Sequence, residues 1–326
     1  MNGLPNHTAP TYSEESREDT LFHYTTASGL LGILRNKEIW STAYYCANDE
    51  SELSAGKDIL TPIFRSKTQQ LERDADPRVR IFTNRGVDIR DYADQFEDTI
   101  LSHALHFFCV YITCFCKPSS KEDFLHGLLS QWRGYGIDGG YALQFSRSKL
   151  QARIDQAYND QHLMYELQDV YYSPDNPLKD QMLKHSEAFT SAYLTYLDTL
   201  VNWDFHKKTM RSPIANLPGG PLESLLDFVI HTKNAHFSEE KECRMSLLEP
   251  ASSPSGLLPV DYFNRSGLLV PYTKTPSNFN ILDCVDWIII GPGPRIGNRF
   301  NSVTQMVRKM DLKIQVRPSH IPFLRT

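Results

Sequence analysis

One run of residues constrains this chain more than any other: Phe107-Phe108-Cys109-Val110-Tyr111-Ile112-Thr113-Cys114-Phe115. It is aromatic and β-branched, and too short to cross a bilayer, so it predicts a strand buried inside a soluble core. A buried strand needs neighbours. Further β-prone runs fall at 21–25, 141–145, 165–172, 245–248, 268–270, 285–290 and 312–316. Helical spacing of apolar residues predicts helices over 27–34, 51–72 with a break at Pro62, 89–106, 178–208, 223–235 and 301–309. Strands and helices interleave without a regular βαβ period, which predicts an α+β fold and not a doubly wound sheet. Residues 1–19 are rich in Asn, Pro, Ser, Thr and Glu and read as a loose tail. Residues 20–326 then form a single α+β domain, with helical insertions near 50–105 and 175–235.

Composition removes several functions. The formal net charge is −5, so no chain-wide basic field attracts nucleic acid. A nucleic-acid contact would need a local patch, such as Lys207, Lys208 and Arg211, or Arg295, Arg299 and Arg308. The polar first 19 residues lack the apolar stretch of a signal peptide, and the expectation is a soluble cytoplasmic protein with no membrane partner. The six cysteines sit mostly in apolar runs, where cysteine behaves as a small buried hydrophobe. Cys114 and Cys116, with His103 and His106 nearby, invite a zinc reading. No second pair at ligand spacing completes it, so no metal is expected. Gly291-Pro292-Gly293-Pro294 has neither phosphate-loop nor dinucleotide-loop form and reads as a turn. His231 and His236 read as residues of a solvated helix end.

Four segments remain that can carry chemistry. His23-Tyr24-Thr25 ends a strand directly before a helix that Thr26 or Ser28 can cap, and backbone N–H groups gather at such a junction. Asn48-Asp49 opens the next long helix. Gln131-Trp132-Arg133-Gly134-Tyr135-Gly136 brings stacking faces and an arginine among glycines, just ahead of the strand at Tyr141. Glu240-Lys241-Glu242-Cys243-Arg244 places Glu240 and Glu242 two apart, on one face if the segment is a strand. Each segment alone has a plain structural role: a satisfied histidine, a helix cap, a core tryptophan, an exposed edge strand. Taken in order they point to one site, and this predicts that His23 and Glu242 share a cleft.

Those steps resemble the domain of unknown function 2971 family. Its members open with His-Tyr-Thr and continue through Leu-Trp-Ser, Asn-Asp, Trp-Arg-x-Tyr-Gly, Glu-Lys-Glu-Trp-Arg and Ile-Ile-Ile-Gly-Pro. Here the steps are His23-Tyr24-Thr25, Ile39-Trp40-Ser41, Asn48-Asp49, Trp132 to Gly136, Glu240 to Arg244 with Cys243 in place of the tryptophan, and Ile288 to Pro292. At greater distance the layout is similar to ADP-ribosyltransferases, which hold NAD between two small antiparallel sheets.

The resemblance implies a split or bent antiparallel core and NAD as substrate. His23 and Thr25, with Tyr24 between them, would grip a ribose, and Glu242 would bind the 2′-hydroxyl of the nicotinamide ribose. Glu240 would orient or deprotonate the acceptor. Tyr141, or Trp132 and Tyr135, would cradle the nicotinamide, with Arg133, Arg244 and Lys241 for the pyrophosphate. Asn48, Asp49 and Gln131 complete the candidate set. The implied reaction is ADP-ribosyl transfer to a protein or nucleic acid, or NAD hydrolysis, in a toxin-like or anti-phage defence effector. The helical insertions would meet partner proteins. The alternative is a nucleotide or nucleic-acid sensor that keeps the cleft without the chemistry.

Overall fold

A computed structural model describes residues 10–46, 52–93, 96, 108–135, 139–158, 163–173, 177–202, 219–250 and 258–322. The chain runs through α1 (Glu14–Glu18), β1 (Thr20–Thr25), α2 (Ala27–Asn36), β2 (Trp40–Ala43), α3 (Glu52–Arg73) and α4 (Pro77–Asn84). It continues with β3 (Phe108–Cys116), α5 (Lys121–His126), α6 (Leu129–Tyr135), β4 (Tyr141–Ser146), α7 (Arg147–Tyr158), β5 (Met164–Asp169) and β6 (Tyr171–Ser173). Next come α8 (Pro177–Val201), α9 (Gly219–Ile230), β7 (Thr232–Asn234) and a 3-10 helix (Ala235–Glu240). The last elements are β8 (Glu242–Pro250), β9 (Val260–Arg265), β10 (Leu268–Lys274), β11 (Val285–Ile290), α10 (Ile296–Lys309) and β12 (Gln315–Pro318).

The apolar run around residue 110 forms β3, and the sheet is built around it. Along one edge β3 pairs with β8 over its whole length, from Phe108↔Pro250 to Cys116↔Glu242, and β5 lies beyond β8. The other edge is shared. β2 takes Tyr111 and Ile112, while β1 takes only Cys116. The large, mostly antiparallel sheet therefore forks beside residues 113–115. One arm is β1-β4-β11-β12 and the other is β2-β10-β9. Within the fork, side chains replace ladder bonds. Ser41 and Thr113 share a 2.7 Å hydroxyl contact, and Thr113 donates to the Trp40 carbonyl at 3.1 Å. The His23 ring reaches the Cys114 carbonyl at 3.0 Å.

Alternation along the strands decides what covers each face. Tyr111 and Phe115 of β3, with Cys243, Met245 and Leu247 of β8, point into the main core beneath α2, α7 and α10. On the opposite face, Val110, Ile112 and Leu248 pack under α3, α8 and α9. Cys116 lies on that same face but under a smaller cover formed by Phe22, Tyr24 and Trp132. Between the two covers Cys114 is left exposed. The candidate site lies in that gap.

Several sequence expectations are revised. Part of the expected tail is structured, because Ser13 caps α1 in a capping box and Asp19 accepts from Ser146 and from the Ser148 backbone. The strand expected over 165–172 is two strands: β5 belongs to the large sheet, while β6 pairs in parallel with β7. The helix expected to reach 235 stops at Ile230, so His231 is fully buried and not solvated. Pro62 lies inside α3 without ending it. Arg299 donates to the Gly291 carbonyl at 2.9 Å, so it fastens a loop. Most of 89–106, including His103 and His106, lies outside the described residues, as do Lys207, Lys208 and Arg211.

Candidate functional site

A cleft of about 710 Å³ opens at the fork, within the range of roughly 300–1,000 Å³ usual for small-molecule sites. His23, Tyr24, Thr25, Gln131, Glu240 and Glu242 all contribute to its lining. The first and last of these are separated by more than two hundred residues of sequence, and the predicted shared cleft is present.

The β1 corner is set by close packing. Thr26 caps α2, accepting from the Gly29 N–H at 3.2 Å. A Cβ on Gly29 would lie 2.0 Å from the Thr25 hydroxyl oxygen, so only glycine lets that hydroxyl sit against the first helical turn. Tyr24 turns the other way, accepting from the Leu128 N–H at 2.6 Å and meeting Trp132 edge-on at 4.8 Å. Gly127, at φ +79°, makes that contact possible, since a Cβ there would fall within 3 Å of Trp132 and the Tyr24 hydroxyl. Burial lowers the pKa of His23, with the Cys114 carbonyl opposing the shift, so the ring is neutral near pH 7. A carbonyl only accepts. Nδ1 therefore carries the hydrogen and Nε2 keeps its lone pair.

The opposite wall is a charge network. Glu242 is 4% exposed, and Arg244 holds both its oxygens, at 2.8 and 3.1 Å. Lys233, from β7, reaches Glu242 at 3.2 Å and Glu240 at 2.8 Å. Burial pushes the Glu242 carboxyl up, but Arg244 and then Lys233 push it down further, leaving it at about 2. Among the described residues, two carboxylates thus face two cations in a nearly buried cluster. The carboxylates do not meet by strand alternation as expected. Glu240 closes the 3-10 helix, Lys241 adopts a left-handed conformation at φ 48°, and the strand begins only at Glu242.

Other expected site residues serve the core. Arg244 is fully buried and donates to the Ile230 carbonyl and to Glu242, so it backs the carboxylate instead of facing a pyrophosphate. Trp132 is fully buried, with its indole N–H bonded to the His126 carbonyl at 2.9 Å. Tyr141 belongs to the main core, opposite Thr25 in the sheet. Arg133 is exposed and is not among the residues lining the cleft. Asn48, Asp49 and the Tyr135 side chain lie outside what the structure describes.

Sequence reasoning missed Lys233, Phe237, Trp40, Cys114 and Arg265, which also line the cleft. Lys233 stands over the Phe237 ring at 4.8 Å. The missed signal was Thr232-Lys233-Asn234: Thr232 is β-branched, and Asn234 caps the 3-10 helix through the His236 N–H. Chemically, the site offers a neutral imidazole and a hydroxyl on one wall, two carboxylates on the other, and aromatic rings at the rim. Among the described residues no cluster of three metal-ligating side chains occurs, and no helix is long and apolar enough to cross a membrane.

No curated protein and no solved structure matches the chain. Residues 131–245 match the model of a protein family of unknown function, DUF2971, a stretch that includes Gln131, Lys233, Glu240 and Glu242 but not His23 or Thr25.

Proposed function

We propose that the cleft binds NAD and breaks its nicotinamide–ribose bond, passing ADP-ribose to a nucleophile of an acceptor macromolecule or to water. The observation that carries this reading is the meeting of His23 and Thr25 with Glu240 and Glu242 across one cleft. As nicotinamide leaves as a neutral base, positive charge develops on the ribose. A fixed carboxylate stabilises that charge more in the transition state than in bound NAD. The bond electrons depart with nicotinamide, the acceptor oxygen or nitrogen bonds the ribose carbon, and the acceptor's proton is released.

Glu240 is the better placed carboxylate. Its side chain is 30% exposed, whereas Glu242 is held on both oxygens and acts by fixing Lys233 and Arg244. The sequence-based roles of the two glutamates are thus exchanged in this proposal. His23, neutral with a free lone pair on Nε2, and the Thr25 hydroxyl suit ribose hydroxyls.

The test is nicotinamide release from NAD, followed by chromatography. Glu240→Gln should lower the rate by roughly 10²–10³, the usual effect of removing one such electrostatic partner. Absence of release from the unaltered protein, or full activity in Glu240→Gln, would overturn the proposal. A second reading is favoured by the doubly engaged Glu242: a sensor that binds a nucleotide without turnover. It predicts NAD binding with no nicotinamide released.

A further inference from the structure

Two tryptophans of this chain have opposite fates. Trp132 is fully buried, whereas Trp40 stays 38% exposed while lining the cleft. Trp40 is nevertheless held rigidly. Its ring stacks on Tyr272 with centroids 4.0 Å apart and planes 28° from parallel, and its N–H donates to Glu38 at 3.2 Å. Phe263 flanks it at 5.7 Å, and Arg265 lies over the Phe263 ring. Tyr272 is itself tied by its hydroxyl to Asp261 at 3.2 Å. A flat, immobilised and partly exposed aromatic surface on a cleft wall is what a nucleobase stacks on.

We propose that Trp40 is a purine-stacking subsite, occupied by the base of the half of a dinucleotide that does not react. This inference rests on the proposed reading of the cleft as an NAD site. Position along β3 supplies the scale. The β2 register carries Trp40 opposite Cys114, and Glu242 pairs with Cys116, two residues further along and on the other edge. Strand rise and spacing put the two Cα atoms about 12 Å apart. One nucleoside does not span that separation, but two nucleosides joined through a pyrophosphate do. The reacting ribose then lies at the carboxylates, beside Phe237, and the second base reaches Trp40. Arg265 at the same end supplies positive charge for the phosphate of that half. Binding energy gathered at Trp40, remote from the broken bond, holds the reacting end in place.

The experiment compares adenosine monophosphate, NAD and nicotinamide mononucleotide, the last lacking the purine half. Affinities for the full chain are measured by calorimetric titration. Trp40→Ala should weaken adenosine monophosphate and NAD by tenfold or more, and nicotinamide mononucleotide by less than threefold. Trp40→Phe, which keeps an aromatic face, should restore most of the loss. The inference is overturned if adenosine monophosphate does not bind, if Trp40→Ala leaves its affinity intact, or if all three ligands weaken equally. Equal weakening would mean that the ring supports the cleft and does not bind a base. Nicotinamide release is scored separately. Trp40-dependent binding without release refutes the chemistry while upholding the subsite.

Discussion

Glu242 shows how strongly a single position in this fold depends on its surroundings. At 4% exposure its charge is tolerable only because Arg244 and Lys233 answer it. Replacing it by glutamine leaves both cations short of a carboxylate, and breaking a buried pair in this way costs about 3–5 kcal/mol. That is a large share of the roughly 5–15 kcal/mol by which domains are stable, so Glu242→Gln tests folding before it tests chemistry. The pH dependence gives a cleaner signature. The folded pKa of about 2 lies below the ordinary 4.5, so the unfolded chain binds the proton first as pH falls. The stabilisation is complete above about pH 5 and is lost between about 4.5 and 2, in all about 3 kcal/mol. Urea unfolding at pH 6 and pH 3 should therefore show a smaller acid loss for Glu242→Gln than for the unaltered chain. Equal losses would mean that Glu242 is not the group titrating in that window.

Among the elements, β7 shows where sequence reading stopped and why. The central strand, the β1–α2 junction and β11 were legible, since apolar runs and caps are local signals. Lys233 was not legible. Helical spacing of Leu225, Leu226 and Val229 invites extending α9, whereas the chain leaves the helix at Ile230 because β6 offers a partner for Thr232 to Asn234. That pairing is a tertiary preference no local pattern encodes. Trp132, Tyr141 and Arg244 were misplaced for a related reason. Residue type announces stacking or charge, but only the alternation of strands and the helical layers show which face is buried. The β7 placement has a consequence that can be measured. Lys233 helps hold the Glu242 carboxyl down, so Lys233→Met should raise that pKa. The acid limb of any NAD-cleaving activity should move to higher pH, alongside a loss of stability. A profile that falls uniformly without moving would show that Lys233 leaves the carboxylates unperturbed.

Across the whole molecule, the fork makes ligand binding and folding one problem. The cleft draws His23 and Thr25 from the β1 arm, Trp40 and Thr42 from the β2 arm, and Glu242 from β8 beyond β3. A main core lies beneath one face of the sheet, while two separate covers lie on the other. The cleft exists only where those covers stop, so its shape depends on both arms keeping their native separation. A ligand spanning it binds the fully assembled state and not a partly opened one, and must stabilise all layers together. At a concentration one hundred times its dissociation constant it adds about 2.7 kcal/mol. For a chain of this size that corresponds to a rise in melting temperature of about 4 °C. Scanning calorimetry with saturating NAD should show the entire transition moving upward as one. Were only part of the heat absorption to shift, the arms would be unfolding independently and the cleft would belong to one of them. Were nothing to shift while titration still detects NAD, the ligand would be binding the folded and unfolded chain alike and not the assembled fork.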